Sequence, residues 1–266
     1  MNTTYGQIHQ IWFDFDGTLP PGRVPLKYEQ TVSKLKSVNC STPHILWSLD
    51  SAEKLMKQLP EIIMETFASF EINIQKADFF RYVLMYVFGG VYADLDFTAV
   101  RPLQEMCDLE YCVGSEECEI ILSDEWPSSH LNTKTLHNGI LISKTKRHPF
   151  WLHVMKSIIQ KQQTCNEPPT AKEEREAFVY SSTGTRMLCE QAMSWNLSCS
   201  EPIGILNFKH FCSFIQDDAL ITCATDMKVK QGMYLVPLEL ALDAHWCETT
   251  PSCIYFLLSS IPSSWK

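Results

Sequence analysis

Residues 77–96, ADFFRYVLMYVFGGVYADLD, constrain this chain more than any other stretch. From residue 74 to residue 88 apolar side chains fall on most faces of a helical repeat, which predicts a helix buried nearly all round. Gly89 and Gly90 stop it, because glycine accepts the positive φ at which helices end. Val91-Tyr92-Ala93 is β-prone and predicts a strand running into Asp94-Leu95-Asp96. Asp78 and Arg81, three apart on the helix, project from one face. Leu95 points away from the side that Asp94 and Asp96 share. The plain alternative is a buried helix whose Asp78–Arg81 pair serves stability, followed by a polar turn. Buried charges in this number are costly unless they pair or bind something, which favours a working site.

The rest of the chain supplies a setting for that unit. Residues 8–13 read as a short buried strand and residues 19–25, rich in proline, as a loop. Residues 28–38 read as a helix and residues 44–49 as a second strand. Asp50 or Ser51 is positioned to cap a helix running toward Leu59. Further strands are expected at residues 111–114, 119–122 and 139–143, and Pro149 begins a helix through Ile159. Residues 164–175, with Pro168-Pro169, read as a surface loop. A helix over residues 186–195 and a late strand over 233–236 follow. Strands alternating with helices predict an α/β fold, a mainly parallel sheet flanked by helices. Such sheets bind ligands at the carboxyl ends of their strands, where Phe13-Asp14 and Asp94-Leu95-Asp96 both fall.

At 266 residues the chain suits one domain, and 45% hydrophobic residues can fill its core. A formal charge of -9 provides no basic excess, which excludes a nucleic-acid-coating role. An acidic protein that handles phosphates needs a metal ion or a few placed cations. No stretch reaches the roughly 18–20 apolar residues that span a bilayer, and the first eight residues lack a signal-peptide core. The sequence thus reads as soluble, cytoplasmic, or lumenal if an anchor lies elsewhere. Eleven cysteines form no CxxC pair, so zinc-finger and thioredoxin readings lack support, and reduced thiols are expected. Sequons at Asn2, Asn39 and Asn196 would matter only in a secretory lumen.

Two Asp-x-Asp triplets suggest different enzymes. Phe13-Asp14-Phe15-Asp16-Gly17-Thr18 resembles the opening motif of haloacid-dehalogenase phosphatases, with Asp14 as nucleophile and Asp16 at the leaving group. That chemistry also needs a downstream Ser or Thr, a Lys and an acidic pair, for which only Asp217-Asp218 offers itself. A strand end followed by an Asp-Gly turn explains the first triplet better.

The ordered pattern Asp78, Arg81, aromatic residues, Gly89-Gly90-Val91-Tyr92, Asp94-x-Asp96 resembles glycosyltransferase family 32. That group includes yeast-type initiating mannosyltransferases and vertebrate α-1,4-galactosyltransferases, and the glucosylating domains of large clostridial toxins look like distant relatives. Ile8-His9-Gln10-Ile11-Trp12 is similar to the family's first strand. His137-Asn138-Gly139-Ile140-Leu141-Ile142-Ser143 with His148-Pro149-Phe150 resembles its central asparagine strand and His-Pro helix start. Thr183-Gly184-Thr185 matches a Thr-Gly-Pro region with Thr185 in the proline's place, and Ala244-His245-Trp246 resembles the C-terminal His-Trp element.

The resemblance implies a GT-A-type fold and retaining transfer from a UDP- or GDP-linked sugar, with Mn²⁺ or Mg²⁺ as cofactor. The donor half would be about residues 1–145 and the acceptor and C-terminal half about 146–266. The acceptor would be a hydroxyl of a glycan, glycolipid or protein. By resemblance Trp12 stacks on the base, core packing being its alternative. Asp78 and Arg81 hold sugar hydroxyls, Asp96 ligates the metal, and Asp94 contacts the metal or the ribose. Asn138 lies near sugar or acceptor, and His245 is a further metal or diphosphate contact. A sugar-nucleotide binding protein without catalysis is the remaining alternative.

Overall fold

The computed structural model describes residues 6–20, 22–99, 102–103, 118–124, 136–164, 168–198, 203–206 and 235–237. The first half runs β1 (Ile8–Ile11), α1 (Leu26–Val38), β2 (His44–Trp47), α2 (Leu49–Met56), α3 (Glu61–Ser69), α4 (Asn73–Phe88) and β3 (Gly90–Ala93). β4 (Phe97–Ala99), β5 (Ile120–Asp124), β6 (Leu136–Ser143), α5 (Pro149–Thr164), α6 (Lys172–Ser182), α7 (Thr185–Ser198), β7 (Ile203–Leu206) and β8 (Leu235–Pro237) follow. Six strands form a sheet in the order β2-β1-β3-β6-β5-β7, and β4 pairs with β8 apart from it. Within the six-stranded sheet β6 runs antiparallel to both its neighbours, while the other pairs are parallel. The expected mainly parallel α/β sheet is therefore present, with one reversed strand.

Alternation along the central strands gives the sheet two buried faces. Tyr92, Ile120, Leu122 and Leu141 pack with residues of α4, α5 and α7. Val91, Ala93, Ile121, Ile140 and Ile142 join Leu35 of α1 in a second cluster. α4 is enclosed, with Phe79 through Met85 all buried, as its sequence predicts.

The Gly-Gly corner is sterically required. Gly89 and Gly90 have φ of +63° and +87°. The Val91 N–H donates to the Gln7 carbonyl at 3.0 Å, so β3 pairs with β1 from its first residues. A Cβ on Gly90 would stand 2.2 Å from that carbonyl oxygen.

Several elements differ from the sequence reading. Ser48 caps α2, its hydroxyl accepting from the Ser51 N–H while Ser51 accepts from the Ser48 N–H. Asp50 instead sits in the first turn, where its charge suits the helix dipole. α6 begins at Lys172, inside the segment read as a loop. Its Lys-Glu-Glu-Arg start has no apolar stripe, but these are good helix formers with acidic residues in the first turn. α3, β4 and β7 were not anticipated, and the strand expected at residues 111–114 lies outside the described residues.

A buried polar chain ties β1 to this corner. The Trp47 indole N–H donates to His9 Nδ1 at 3.0 Å, which puts the His9 proton on Nε2, 3.1 Å from the Gly89 carbonyl. Burial lowers the His9 pKa to about 4, the Gly89 bond opposing and His44 assisting. Burial, with Lys36, lowers His44 to about 4 also. Both histidines stay neutral when folded but take up protons near pH 6.5 when unfolded. Their contribution is present above that pH and is lost as pH falls toward 4. Asp78, raised to about 6, acts in the opposite sense, and one such group against two leaves a net loss. Urea melts at pH 7 and pH 4.5 are expected to show lower stability at the acid pH, with His44→Gln reducing the difference.

Candidate active site

At the carboxyl end of β3 the chain turns sharply. The strand stops at Ala93, and the Phe97 N–H donates to the Asp94 carbonyl at 3.2 Å, so Asp94-Leu95-Asp96 forms a turn, not strand. The turn is anchored from three directions. The Asp94 N–H donates to the Gly139 carbonyl at 2.8 Å, and Gln10 Nε2 donates to the Asp94 carbonyl at 3.3 Å. Thr31 Oγ1 of α1 donates to the Leu95 carbonyl at 2.7 Å. Leu95 packs among Val24, Tyr28 and Val32.

Asp94 and Asp96 line a cleft with Trp12, Phe13, Phe15, Tyr28, Arg81 and Tyr92. Aromatic surface thus adjoins two carboxylates and one guanidinium. Trp12 packs against Tyr28 with ring centroids 5.8 Å apart. The Trp12 Nε1 and Arg81 Nε groups are buried donors without hydrogen-bond partners among the described residues. Such donors favour an oxygen-rich ligand.

Behind the cleft lies the network that aims Arg81. Its Nη1 donates to the Asn138 carbonyl at 2.8 Å and to Asp94 Oδ2 at 3.3 Å. Its Nη2 is 3.2 Å from Asp78 Oδ1, and its guanidinium lies 4.8 Å from the Tyr92 ring centroid. Asn138 Nδ2 donates to Asp78 Oδ1 at 3.0 Å, and Thr183 Oγ1 donates to Asp78 Oδ2 at 2.9 Å. The Tyr92 hydroxyl donates to Asp94 Oδ1.

Burial raises the Asp78 pKa to about 6, with Arg81 opposing it most, then Thr183. For Arg81 burial acts to lower the pKa, but Asp94, Tyr92 and Asp78 outweigh it, so the guanidinium stays charged. Burial pushes the Tyr82 and Tyr92 phenols up, so both remain protonated.

The structure brings Trp12, Arg81, Asp94 and Asp96 to one cleft. Asp78 and Asn138, 4% and 9% exposed, sit behind Arg81 and hold it in place. His245 lies outside the described residues. Asp14 follows β1 but is bound to its own loop, accepting the Leu19 N–H at 2.7 Å and the Thr18 hydroxyl at 3.4 Å. That is the Asp-Gly turn, with Gly17 at φ +62°. Sequence reasoning assigned no role to Tyr28, Tyr92 or Thr183, although Tyr92 and Thr183 stand in the motifs that carry the resemblance. Tyr92, two residues before Asp94 on the same strand, could have been found by alternation. Tyr28 carries no local signal, and Thr183 had only its place in the Thr183-Gly184-Thr185 match.

The donor set fits a hard cation such as Mn²⁺ or Mg²⁺, which is commonly held by one or two carboxylates together with substrate phosphates. Asp94 and Asp96 supply carboxylate oxygens at one turn. Asp94 keeps free lone pairs beside its bonds to Tyr92 and Arg81, since each carboxylate oxygen carries two. Among the described residues no three His, Cys, Asp or Glu side chains cluster.

The family described as "Glycosyltransferase sugar-binding region containing DXD motif" matches residues 25–113, from α1 past the Asp94–Asp96 turn. Over those residues the chain is similar to the sugar-binding region of DXD-motif glycosyltransferases. The chain is 24% identical over 208 residues to Inositol phosphoceramide mannosyltransferase 1 of Schizosaccharomyces pombe, covering 75% of this chain and 54% of that protein. Uncharacterized glycosyltransferase L373 of Acanthamoeba polyphaga mimivirus is 22% identical over 232 residues, 85% of this chain and 81% of the viral protein. The chain thus spans about half the length of the yeast relative and most of the viral one. Among solved structures, PaToxG Glycosyltransferase superposes with a TM-score of 0.50 at 16% identity, covering 71% of this chain and 69% of that one. The GT-A-type α/β fold expected from the sequence is therefore the fold observed. No helix among the described residues is long and apolar enough to cross a membrane.

Proposed function

We propose that this chain transfers a hexosyl group from a UDP- or GDP-linked sugar to a hydroxyl of a glycan, glycolipid or protein. Transfer would be metal-dependent and retain the anomeric configuration. The observation that carries this reading is the Asp94–Asp96 turn opening into a cleft that also presents Trp12 and Arg81. The yeast relative, whose name places mannose on inositol phosphoceramide, supports a sugar donor and a hydroxyl acceptor.

Each residue has a distinct task in this scheme. Trp12 supplies an apolar face for the base, and its unpartnered Nε1 a donor for a base or ribose oxygen. Asp96, with Asp94, would hold Mn²⁺ or Mg²⁺, and His245 is assigned as a further contact to the metal or diphosphate. The bound cation supplies electrostatic stabilisation of the departing diphosphate. Arg81 adds a fixed positive charge in the cleft and offers donors to the sugar. Asp78 and Asn138 keep that guanidinium aimed, so no reorganisation is needed when the donor arrives. Donor binding is assigned to about residues 1–145 and the acceptor side to about residues 146–266.

Thermal-shift titration with UDP- and GDP-sugars, with and without MnCl₂, tests this reading. One donor is expected to raise Tm by several degrees only with manganese present, through the linkage of binding to stability. Asp14→Asn is expected to leave that shift and donor turnover unchanged, because Asp14 serves its own loop. Loss of turnover in that variant would instead point to phosphoryl chemistry at the first triplet.

A further inference from the structure

The network behind Arg81 extends into the chain's second half. Gln75, Asp78 and Tyr82 lie on one face of α4, and each bonds to the corner between α6 and α7. Gln75 Nε2 donates to Ser182 Oγ at 2.9 Å. The Tyr82 hydroxyl donates to the Thr183 carbonyl at 2.8 Å. Thr183 Oγ1 donates to Asp78 Oδ2 across 105 residues of sequence. The corner is tight: the N–H groups of Thr183 and Gly184 both donate to the Val179 carbonyl, at 3.0 and 2.9 Å. A Cβ on Gly184 would approach Tyr180 Cα to 3.0 Å.

We infer that Thr183 is a positioning residue for the donor site, acting through Asp78 on Arg81 and so on Asp94. This rests on the proposed transferase reading. The Thr183 side chain is fully buried, so it acts without touching substrate. Asp78 Oδ1 is engaged by Asn138 and Arg81, and Oδ2 by the Thr183 hydroxyl. Those bonds fix the carboxylate's rotation from both ends. Removing the hydroxyl frees Oδ2 and lets the plane turn, which loosens the grip of Oδ1 on Arg81 Nη2. Arg81 Nη1 then shifts against Asp94 Oδ2, the contact that sets the first carboxylate of the turn. The α6–α7 corner thereby becomes a part of the second half that organises the donor pocket.

Thr183→Val removes the hydroxyl at nearly constant shape, and Thr183→Ser keeps it; Thr183→Ala replaces the valine if that variant fails to fold. GDP-mannose or UDP-glucose, whichever the wild type turns over with manganese, is the probe. Thr183→Val is expected to lower kcat about tenfold or more, the cost of one charge-assisted hydrogen bond, while acceptor KM changes little. Thr183→Ser is expected to stay within about twofold of wild type. Ser181→Ala, at a half-buried position of α6 whose hydroxyl bonds only within its own helix, serves as a control for general damage to the helix.

Arg81 guanidinium NMR signals supply a readout independent of turnover. They are expected to move in Thr183→Val and return in Thr183→Ser. Wild-type kcat and wild-type Arg81 signals in Thr183→Val would overturn the proposal. So would a serine variant as impaired as the valine one, which would assign the residue to packing. If the wild type neither binds nor turns over any nucleotide sugar, the transferase reading fails, and the Arg81 signals alone decide the positioning role.

Discussion

Asp96→Ala is expected to reduce metal-dependent donor turnover by about a hundredfold or more while shifting Tm by only a few degrees, because the metal's charge stabilisation is worth several kcal/mol. The two carboxylates of the turn are not equivalent. Asp94 is built into the structure through Arg81, Tyr92 and the approach of Gly139, where a Cβ would stand 2.5 Å from Asp94 Oδ2. Its replacement would disturb folding and chemistry together. Asp96, half-buried at the turn, lines the cleft, and its loss removes one of the two carboxylates proposed to hold the cation. Calorimetric titration of the donor with and without MnCl₂ should show a manganese-dependent gain in affinity for the wild type and none for the variant. Full turnover by Asp96→Ala would refute the metal role.

How much of this was legible in the sequence follows from the range of each interaction. The buried helix, the Gly89-Gly90 corner and the strand into Asp94 depend on neighbours within about four residues, and periodicity reveals them. The Asp78–Arg81 pair was visible for the same reason, being three apart on one helix. Its purpose was not visible, because Asp78 is satisfied by Asn138 and Thr183, 60 and 105 residues away. The expectation that Asp78 faces the sugar came from resemblance, whereas the observed geometry places it one layer behind Arg81. β6 was found as a strand, but its reversed direction was not, since direction is set by its pairing with β3 and β5. α6 escaped because a polar, charged helix shows no apolar stripe.

Arg81→Met is expected to be the most destabilising single change at the site, by about 3–5 kcal/mol, because it strands a buried carboxylate. For a domain of this size that corresponds to a Tm loss of roughly 10 °C. Asp78 is 4% exposed, and burial has already raised its pKa to about 6 with the guanidinium present. A carboxyl with a raised pKa keeps a proton in the folded chain that the unfolded chain has released. Its contribution to stability therefore falls as pH climbs from the unfolded value of about 4 to the folded value, and is level above it. In the wild type that decline ends near pH 6.

Without Arg81 the folded pKa rises further, so the decline continues toward neutral pH and beyond. The variant's deficit is then smallest in acid and largest at pH 8, a dependence that lost packing alone cannot produce. Asp78→Asn added to Arg81→Met should recover part of the stability at pH 8, because the buried charge is gone, and should remove the pH dependence. Asp94 needs no such rescue, as its side chain is 29% exposed and water can solvate it. Turnover should stay low in both variants, since neither restores a cation to the cleft. Chemical denaturation at pH 5.5 and pH 8 separates these terms. An Arg81→Met deficit that is equal at both pH values would show that Asp78 is not held ionised by Arg81.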